Sequence, residues 1–465
     1  MQLPILQVIV PIIASMLCFL SKKHKVSWFI SLITTITTLI ISSLLLIKTY
    51  KGEIIIYQLG DWHPPYGIEL RIDSLNSLIL ALVNFIALIS VLCCFYMNEK
   101  EISKNKITDF YSLFLLCFSG LLGMLVTNDV FNLYVFLEIA SLSSCVLVAM
   151  GKNKKALVAA FEYLISGTVG ATFYLFGIGL LYSMTGTLNM SDIAERIVPL
   201  YDNKIIQLGT LFIFVGLSIK MALFPLSRWL VNAYTNAPSF ISIFFSGTVT
   251  KVMIYVFIRM FYSVFHQNVF LFQSPFCYII VTLALCAIVF GSIFAITAHD
   301  IKKLLAHSSV SQIGYIMLAL SLNSKAAALF HMVNHSIIKT SLFMAASCTS
   351  DTENSEGSKN KFISFAFIIS SLALIGIPLT SGFVSKWYMM KAIMESQAWV
   401  SLAIFVLGSF LSLLYVLKMI EEMHFVKNNQ APMVLCMFFT TSLIIIIGIY
   451  STPIRLIIEK LVFSN

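Results

Sequence analysis

Charged side chains sit inside stretches of chain that otherwise read as membrane helices. Glu138 lies in FNLYVFLEIASLSSCVLVAM, Lys220 in IIQLGTLFIFVGLSIKMALF and Lys251 in FISIFFSGTVTKVMIYVFIRMF. Lys339 follows His331 and His335 in HMVNHSIIKTSLFMAAS, and Lys386 sits in IGIPLTSGFVSKWYMMKAI. A charge at mid-membrane costs ~2.5–3.5 kcal/mol on insertion scales, so such residues persist mainly where they face protein interior or water. Several in one chain, of types that gain and lose a proton, point to a route for protons or cations.

His331, His335 and Lys339 are spaced i, i+4, i+8 and line one helix face. Two histidines at that spacing can bind zinc, but no acidic ligand or third histidine accompanies them, so no metal is expected. The readings left are hydrogen-bonded core histidines or a hydrated relay, since imidazole passes protons near neutral pH. Ser308, Ser309 and Gln312 on the preceding span offer polar partners. Lys251 reads either as a snorkelling lysine or as a buried functional one, and its place about midway through the apolar run 238–264 favours the second. Lys386 follows Pro378 and reads either as a terminal proton donor or acceptor, or as an interfacial anchor beside Trp387 and Tyr388. Lys303 sits at the mouth of its span, and Asp129 reads as a helix N-cap.

The elements that must hold these residues are transmembrane helices. Hydrophobic residues make up 59% of the chain and charged residues 11%, far outside the soluble range. An apolar helix needs about 20 residues to cross the hydrocarbon core. By that measure about 14 spans are predicted, at 3–21, 27–48, 75–97, 109–127, 131–150, 157–184, 206–224, 238–264, 276–298, 304–323, 326–349, 362–391, 399–420 and 432–452. Backbone groups in lipid must bond internally, which makes the fold class an all-α integral membrane protein.

Lysines gather in alternate loops, at Lys22, Lys23 and Lys25, then Lys100, Lys104 and Lys106, then Lys152, Lys154 and Lys155, later Lys302 and Lys303, Lys359 and Lys361, and Lys427. The other loops include 49–74 and 185–205, which carry Asp61, Asp73, Asp192 and Glu195. The bias places both termini on the external side of the membrane. It also accounts for the formal net charge of +9 without nucleic acid. Most of the nine cysteines lie in apolar runs, Cys93–Cys94 is the only close pair, and no CxxC spacing appears. No cofactor is expected. With no Walker loop, dinucleotide fingerprint or nucleophilic triad, the chain is expected to have no catalytic chemistry of its own and to draw on an ion gradient or a redox partner.

Pro225 after Lys220 and Pro378 before Lys386 interrupt their spans, and broken helices in corresponding positions point to an inverted-repeat transporter. Spans 4–8 and 9–13 then form two inverted repeats of five helices, with helices 7 and 12 broken. The expected organisation is one polytopic domain over 1–465: helices 1–3 in 1–108, a first repeat in 109–264, a second in 276–427, and a last helix and tail in 432–465.

Several runs resemble a known family. NDVFNLYVFLEIASLSSCVLVA (128–149), HDIKKLLAHSSVSQIGYIMLAL (299–320), HMVNHSIIKTSLFMAAS (331–347) and GIPLTSGFVSKWYM (376–389) are similar to the antiporter-like membrane subunits of Mrp-type cation/proton antiporters, respiratory complex I and membrane-bound hydrogenases. LGDWHPPYGIELRIDSLNSLIL (59–80), FSGTVTKVMIYVFIRMF (245–261) and YSMTGTLNMSDIA (182–194) look most like the D-type subunit of the Mrp antiporter. The resemblance implies that Glu138 pairs with Lys220, and that moving one from the other switches the lysine between holding and releasing a proton. A static buried ion pair is the other reading of those two residues. It further implies a proton relay through Glu138, Lys220, Lys251, His331, His335, Lys339 and Lys386, with Lys303, Ser308 and Gln312 near its access. Partners would be other membrane subunits, the lipid bilayer, protons and a monovalent cation. The alternative is a proton-pumping subunit of an NADH–quinone oxidoreductase or membrane hydrogenase. Two departures stand out: the family's Trp-Leu-Pro run after span 7 reads SRWLVNAYTNAP here, with Val231 for the proline and Asn232 and Tyr234 nearby, and Glu162 is acidic where many relatives are not.

Overall fold

The structure is a computed structural model describing residues 2–93, 95, 101–265, 275–348, 361–422, 431–452, 455, 456 and 459. Cys94, Lys100, Lys359 and Lys427 lie outside the described residues.

The chain opens with α1 (Leu3–Ser21) and α2 (His24–Tyr50). Hydroxyls on α2 donate back into their own helix, Thr34 to Ile30 O at 2.8 Å and Thr38 to Thr34 O at 3.0 Å. The threonine-rich run is thereby satisfied without water. The all-helical expectation meets one exception next: β1 (Ile55–Gln58) pairs antiparallel with β2 (Glu69–Ile72), Ile55 opposite Ile72. A β-branched run stopped by Pro64 and Pro65 is strand-turn sequence.

After α3 (Ser74–Cys93) come α4 (Ile107–Val126), α5 (Val130–Ala149), α6 (Lys154–Thr185) and the short α7 (Met190–Arg196). Asp129 caps α5, accepting from the backbone N–H of Phe131 at 2.9 Å and of Asn132 at 2.7 Å. The seventh predicted span is two arms, α8 (Lys204–Lys220) and α9 (Arg228–Asn236), with Pro225 in the joint. The second half repeats the order with α12 (Pro275–Thr297), α13 (Ile301–Ser321) and α14 (Lys325–Ala346). Its broken helix is α15 (Lys361–Ile375) and α16 (Ser381–Glu395), with Pro378 in the joint, followed by α17 (Trp399–Glu422). α18 (Ala431–Ile449) packs against α14 and α3.

Among the described residues, 11 helices are long and apolar enough to cross a membrane. Three predicted spans fall outside that set. Two are the broken helices, whose arms are short, and the third is α14, which carries His331, His335 and Lys339.

The eighth span differs from the continuous helix expected over 238–264. It is α10 (Ser239–Gly247) and α11 (Val249–Ile258), continued as a π-helix over Arg259–Val264. Thr248 stands between them at φ −122° and ψ −62°, outside helical geometry, and its hydroxyl donates to Phe244 O at 2.7 Å. This span is fully buried and α13 nearly so, whereas α1, α2 and α17 bury about a third of their residues. The spans that carry Lys251 and Ser308–Gln312 are thus inner ones, whereas α1, α2 and α17 are peripheral.

Candidate functional site

Lys220 ends α8 at the lip of the first break and is 7% exposed. Its Nζ donates to Ser141 Oγ at 2.9 Å. α6 closes over the pair at Gly167, where a Cβ would fall 2.8 Å from Ser141 Oγ and 3.5 Å from Lys220 Nζ. Glu138 lies one turn before Ser141 on α5, close enough to act on Lys220 electrostatically, yet no ion pair joins the two among the described residues. Glu138 is half-buried and shares its helix face with the exposed Phe131, Val135, Leu142 and Val146. That position on the rim of α5, rather than in its interior, leaves the inward-turned serine as the direct contact.

Lys251 is 1% exposed and sits in the first turn of α11, just past the break at Thr248. Its ammonium donates to the carbonyl of Ser246, the residue two before the break. Polar groups released or exposed by irregular backbone are tolerated at this depth only when they find such partners.

α14 carries His331, His335 and Lys339 down one face, all at most 4% exposed. The two imidazoles lie nearly parallel, at 10° with centroids 6.2 Å apart. α13 answers them with one face of its own, Ser308, Gln312 and Tyr315, spaced i, i+4, i+7. Lys339 Nζ donates to Ser308 Oγ at 2.5 Å and to Leu305 O at 2.7 Å. His331 Nε2 meets Gln312 Oε1 at 2.9 Å, and its Nδ1 meets Ser385 Oγ at 3.0 Å. Neither ring nitrogen of His335 has a partner among the described residues.

Lys386 follows Ser385 in α16 and is 7% exposed. Its ammonium lies over the Tyr315 ring, 5.2 Å from the centroid, and donates to Ile375 O at 2.8 Å. That carbonyl ends α15 at the second break, where Gly376 takes φ +92°. A Cβ on Gly376 would meet Lys386 Cδ at 3.0 Å, so the left-handed turn and the lysine need the same glycine. The side chain points inward, while its neighbour Trp387 is exposed.

The structure therefore brings together Lys339, His331 and Lys386 along α13, with His335 stacked between the first two. Lys251 joins them through packing: α10 lies against α14, and a Cβ on Gly247 would fall 2.6 Å from Thr340 Oγ1, beside Lys339. Lys220 stands apart from this line, at the first break beside Ser141. Lys303 stands apart, exposed on a cavity of about 770 Å³ that is also lined by Glu101, Lys152, Lys155, Asn236 and Asp300. Ser309 donates to Leu305 O at 3.0 Å, within its own helix. Among the described residues, no group of three or more His, Cys, Asp or Glu is arranged to hold a metal ion.

Sequence reasoning passed over Ser141, Ser385 and Tyr315. Ser141 stands three residues after Glu138, and the helical period alone would have flagged it. Tyr315 likewise stands three residues after Gln312, whereas Ser385 carries no such signal, because its role arises from how α16 folds back after its break. The two departures from the family pattern meet each other: Glu162 accepts from Asn232 Nδ2 and lies 3.4 Å from Arg228 Nη2, tying α6 to α9.

A family profile described as NADH:quinone oxidoreductase/Mrp antiporter, TM, matches residues 127–412. NADH-quinone oxidoreductase subunit N of Desulforudis audaxviator is 38% identical over 436 residues, covering 90% of this chain and 86% of the relative. A putative antiporter subunit mnhD2 of Staphylococcus aureus is 32% identical over 451 residues, covering 92% and 89%. The D-type subunit of the Na(+)/H(+) antiporter of Alkalihalophilus pseudofirmus is 28% identical over 429 residues, covering 90% and 86%. Among solved structures, a chain of the membrane-bound sulfane sulfur reductase, an archaeal respiratory membrane complex, superposes with a TM-score of 0.90 at 29% identity, covering 99% and 97%. A chain of the Mrp complex from Dietzia sp. shares the fold, with a TM-score of 0.88 at 21% identity, covering 99% and 96%. This chain is a multi-span integral membrane protein that belongs to the NADH:quinone oxidoreductase/Mrp antiporter transmembrane family.

Proposed function

We propose that this chain carries protons across a bacterial inner membrane, as one subunit of a multisubunit cation/proton antiporter with fourteen crossings and both termini outside. The observation that supports this reading most directly is the line of titratable side chains, each at most 7% exposed, running through Lys251, His335, Lys339, His331 and Lys386. Burial disfavours the ammonium form of a lysine, and a nearby carboxylate favours it. Lys220 held by Ser141 is one station of a switch, and Lys220 drawn to Glu138 is the other. Charge arriving at Lys251 repels charge on Lys339 and His335, so a proton placed at one end favours release at the other. The partner cation is left to other subunits, since among the described residues no carboxylate cage accompanies the line.

The test is antiport in everted vesicles that contain the chain with its native partner subunits. Glu138→Gln and Lys386→Ala, at unchanged protein level, should each abolish cation-dependent proton movement. Full activity in both variants would sink the relay.

A second reading, a proton-pumping subunit of an NADH–quinone oxidoreductase, is favoured by the 38% identity to a subunit N. Purification in mild detergent with mass spectrometry separates the two. Small hydrophobic companions alone support the antiporter, whereas flavin- and cluster-bearing subunits support the redox complex.

A further inference from the structure

The relay does not use one buried ion pair. Arg259 Nη2 donates to Asp73 Oδ2 at 2.6 Å, joining the start of α3 to the π-helix that ends the eighth span. The carboxylate is fully buried, and the guanidinium side chain is 9% exposed. Asp73 also accepts from the Asn76 backbone N–H at 3.1 Å, and Arg259 Nε donates to Tyr255 OH at 3.2 Å. Lys251, Tyr255 and Arg259 are spaced i, i+4, i+8, so the ion pair stands two turns from the central lysine on one helix face.

Above the pair lies a cavity of about 410 Å³ at the hairpin end of the molecule. Arg71, Asn128, Glu195 and Lys325 line it together with Asp73 and Arg259. The Arg71 Nε is buried there without a partner among the described residues. Its opposite number is the cavity of about 770 Å³ around Lys303: Pro238, just before α10, lines that one, and Ile258, Arg259, Tyr262, Ser263 and Val264 line this one. The eighth span thus connects two polar cavities, with Lys251 between them. A buried ion pair is a poor way to gain stability, because desolvation of both charges offsets their attraction. A π-helical turn, a geometry frequent at functional sites, is an odd choice for a mere strut.

We propose that the Asp73–Arg259 ion pair is the closed gate of an aqueous route from the hairpin-end cavity to Lys251. Paired, the two side chains plug the cavity floor. Parted, with Arg259 turned toward Glu195, they leave Tyr255 as the step between water and the central lysine. This rests on the proton-transport reading and gives the relay a direct opening at its middle, separate from Lys386.

The test uses everted vesicles with the full complement of subunits. Because D73N alone strands a buried guanidinium, the informative variant is D73N/R259M, which removes both charges. With no cation added, an imposed pH gradient should collapse faster in D73N/R259M than in wild type, and adding K251A should restore the slow decay. A membrane as tight as wild type, whether antiport is kept or lost, overturns the gate. A leak that persists in D73N/R259M/K251A overturns the route through Lys251. Wild-type vesicles with no cation-linked proton movement would instead remove the transport reading, which the leak comparison does not touch.

Discussion

Lys220 is held by Ser141 rather than by Glu138, with 2.9 Å between Nζ and Oγ. Ser141 stands one helical turn after Glu138 on α5, so the lysine is parked beside the carboxylate's helix without being paired to it. Serine offers a neutral lone pair that accepts a hydrogen bond from either the ammonium or the free amine, where a carboxylate would hold the ammonium alone.

Ser141→Ala should therefore impair transport without unfolding the chain. It strands a buried donor, which costs ~1–3 kcal/mol. Cation-dependent proton flux in vesicles is expected to fall about tenfold, the equivalent of 1.4 kcal/mol, with Ser141→Thr retaining most of it. Wild-type flux in Ser141→Ala would remove the serine from the switch.

Lys386→Arg separates charge from proton exchange. Arginine keeps the cation and its donors but does not deprotonate in proteins. Flux should drop to the background of vesicles lacking the chain, at unchanged abundance on a blot. Activity near wild type would make Lys386 a fixed charge that only closes the break at Ile375.

Gly382→Ala probes how tightly the second break is folded. A Cβ there would come within 1.8 Å of the Ala373 carbonyl oxygen, so α15 and α16 would be forced apart. Overpacking of this kind costs ~1–3 kcal/mol or more. Gly179 on α6 has nothing within 4 Å of a Cβ and serves as the control. Thermal unfolding followed by size-exclusion fluorescence should shift down in Gly382→Ala and stay level or rise in Gly179→Ala, where helix propensity improves by up to ~1 kcal/mol.

Arg228→Ala should be close to silent. Its side chain is 84% exposed and its distance to Glu162 is 3.4 Å, so the pair contributes ~0–1 kcal/mol. The same unfolding assay checks this; a loss of several degrees would mean that α9 depends on the arginine rather than on Asn232.

The helices and their breaks were legible because apolar runs have a length set by the bilayer and prolines mark where a ladder ends. Lys220, Lys251, His331, His335, Lys339 and Lys386 stood out for the same reason: charge in an apolar run demands an explanation. Glu138 was as visible, but which face of α5 it occupies depends on the neighbours of that helix. The break at Thr248 left no mark, since Gly-Thr pairs occur in unbroken membrane helices too. Asp73 and Arg259 were lost differently. Asp73 reads as one more acid in an outer loop, and only the fold brings it to a partner 186 positions away.

The two cavities at opposite ends of the eighth span carry an electrical consequence. Water and mobile ions filling both would shorten the insulating part of the protein to the stretch around Lys251. The membrane potential would then fall across that short distance instead of across the whole bilayer. A full unit charge moved through 100 mV is worth about 2.3 kcal/mol. A proton stepping on or off Lys251 would collect a large part of that energy within a displacement of a few side-chain lengths.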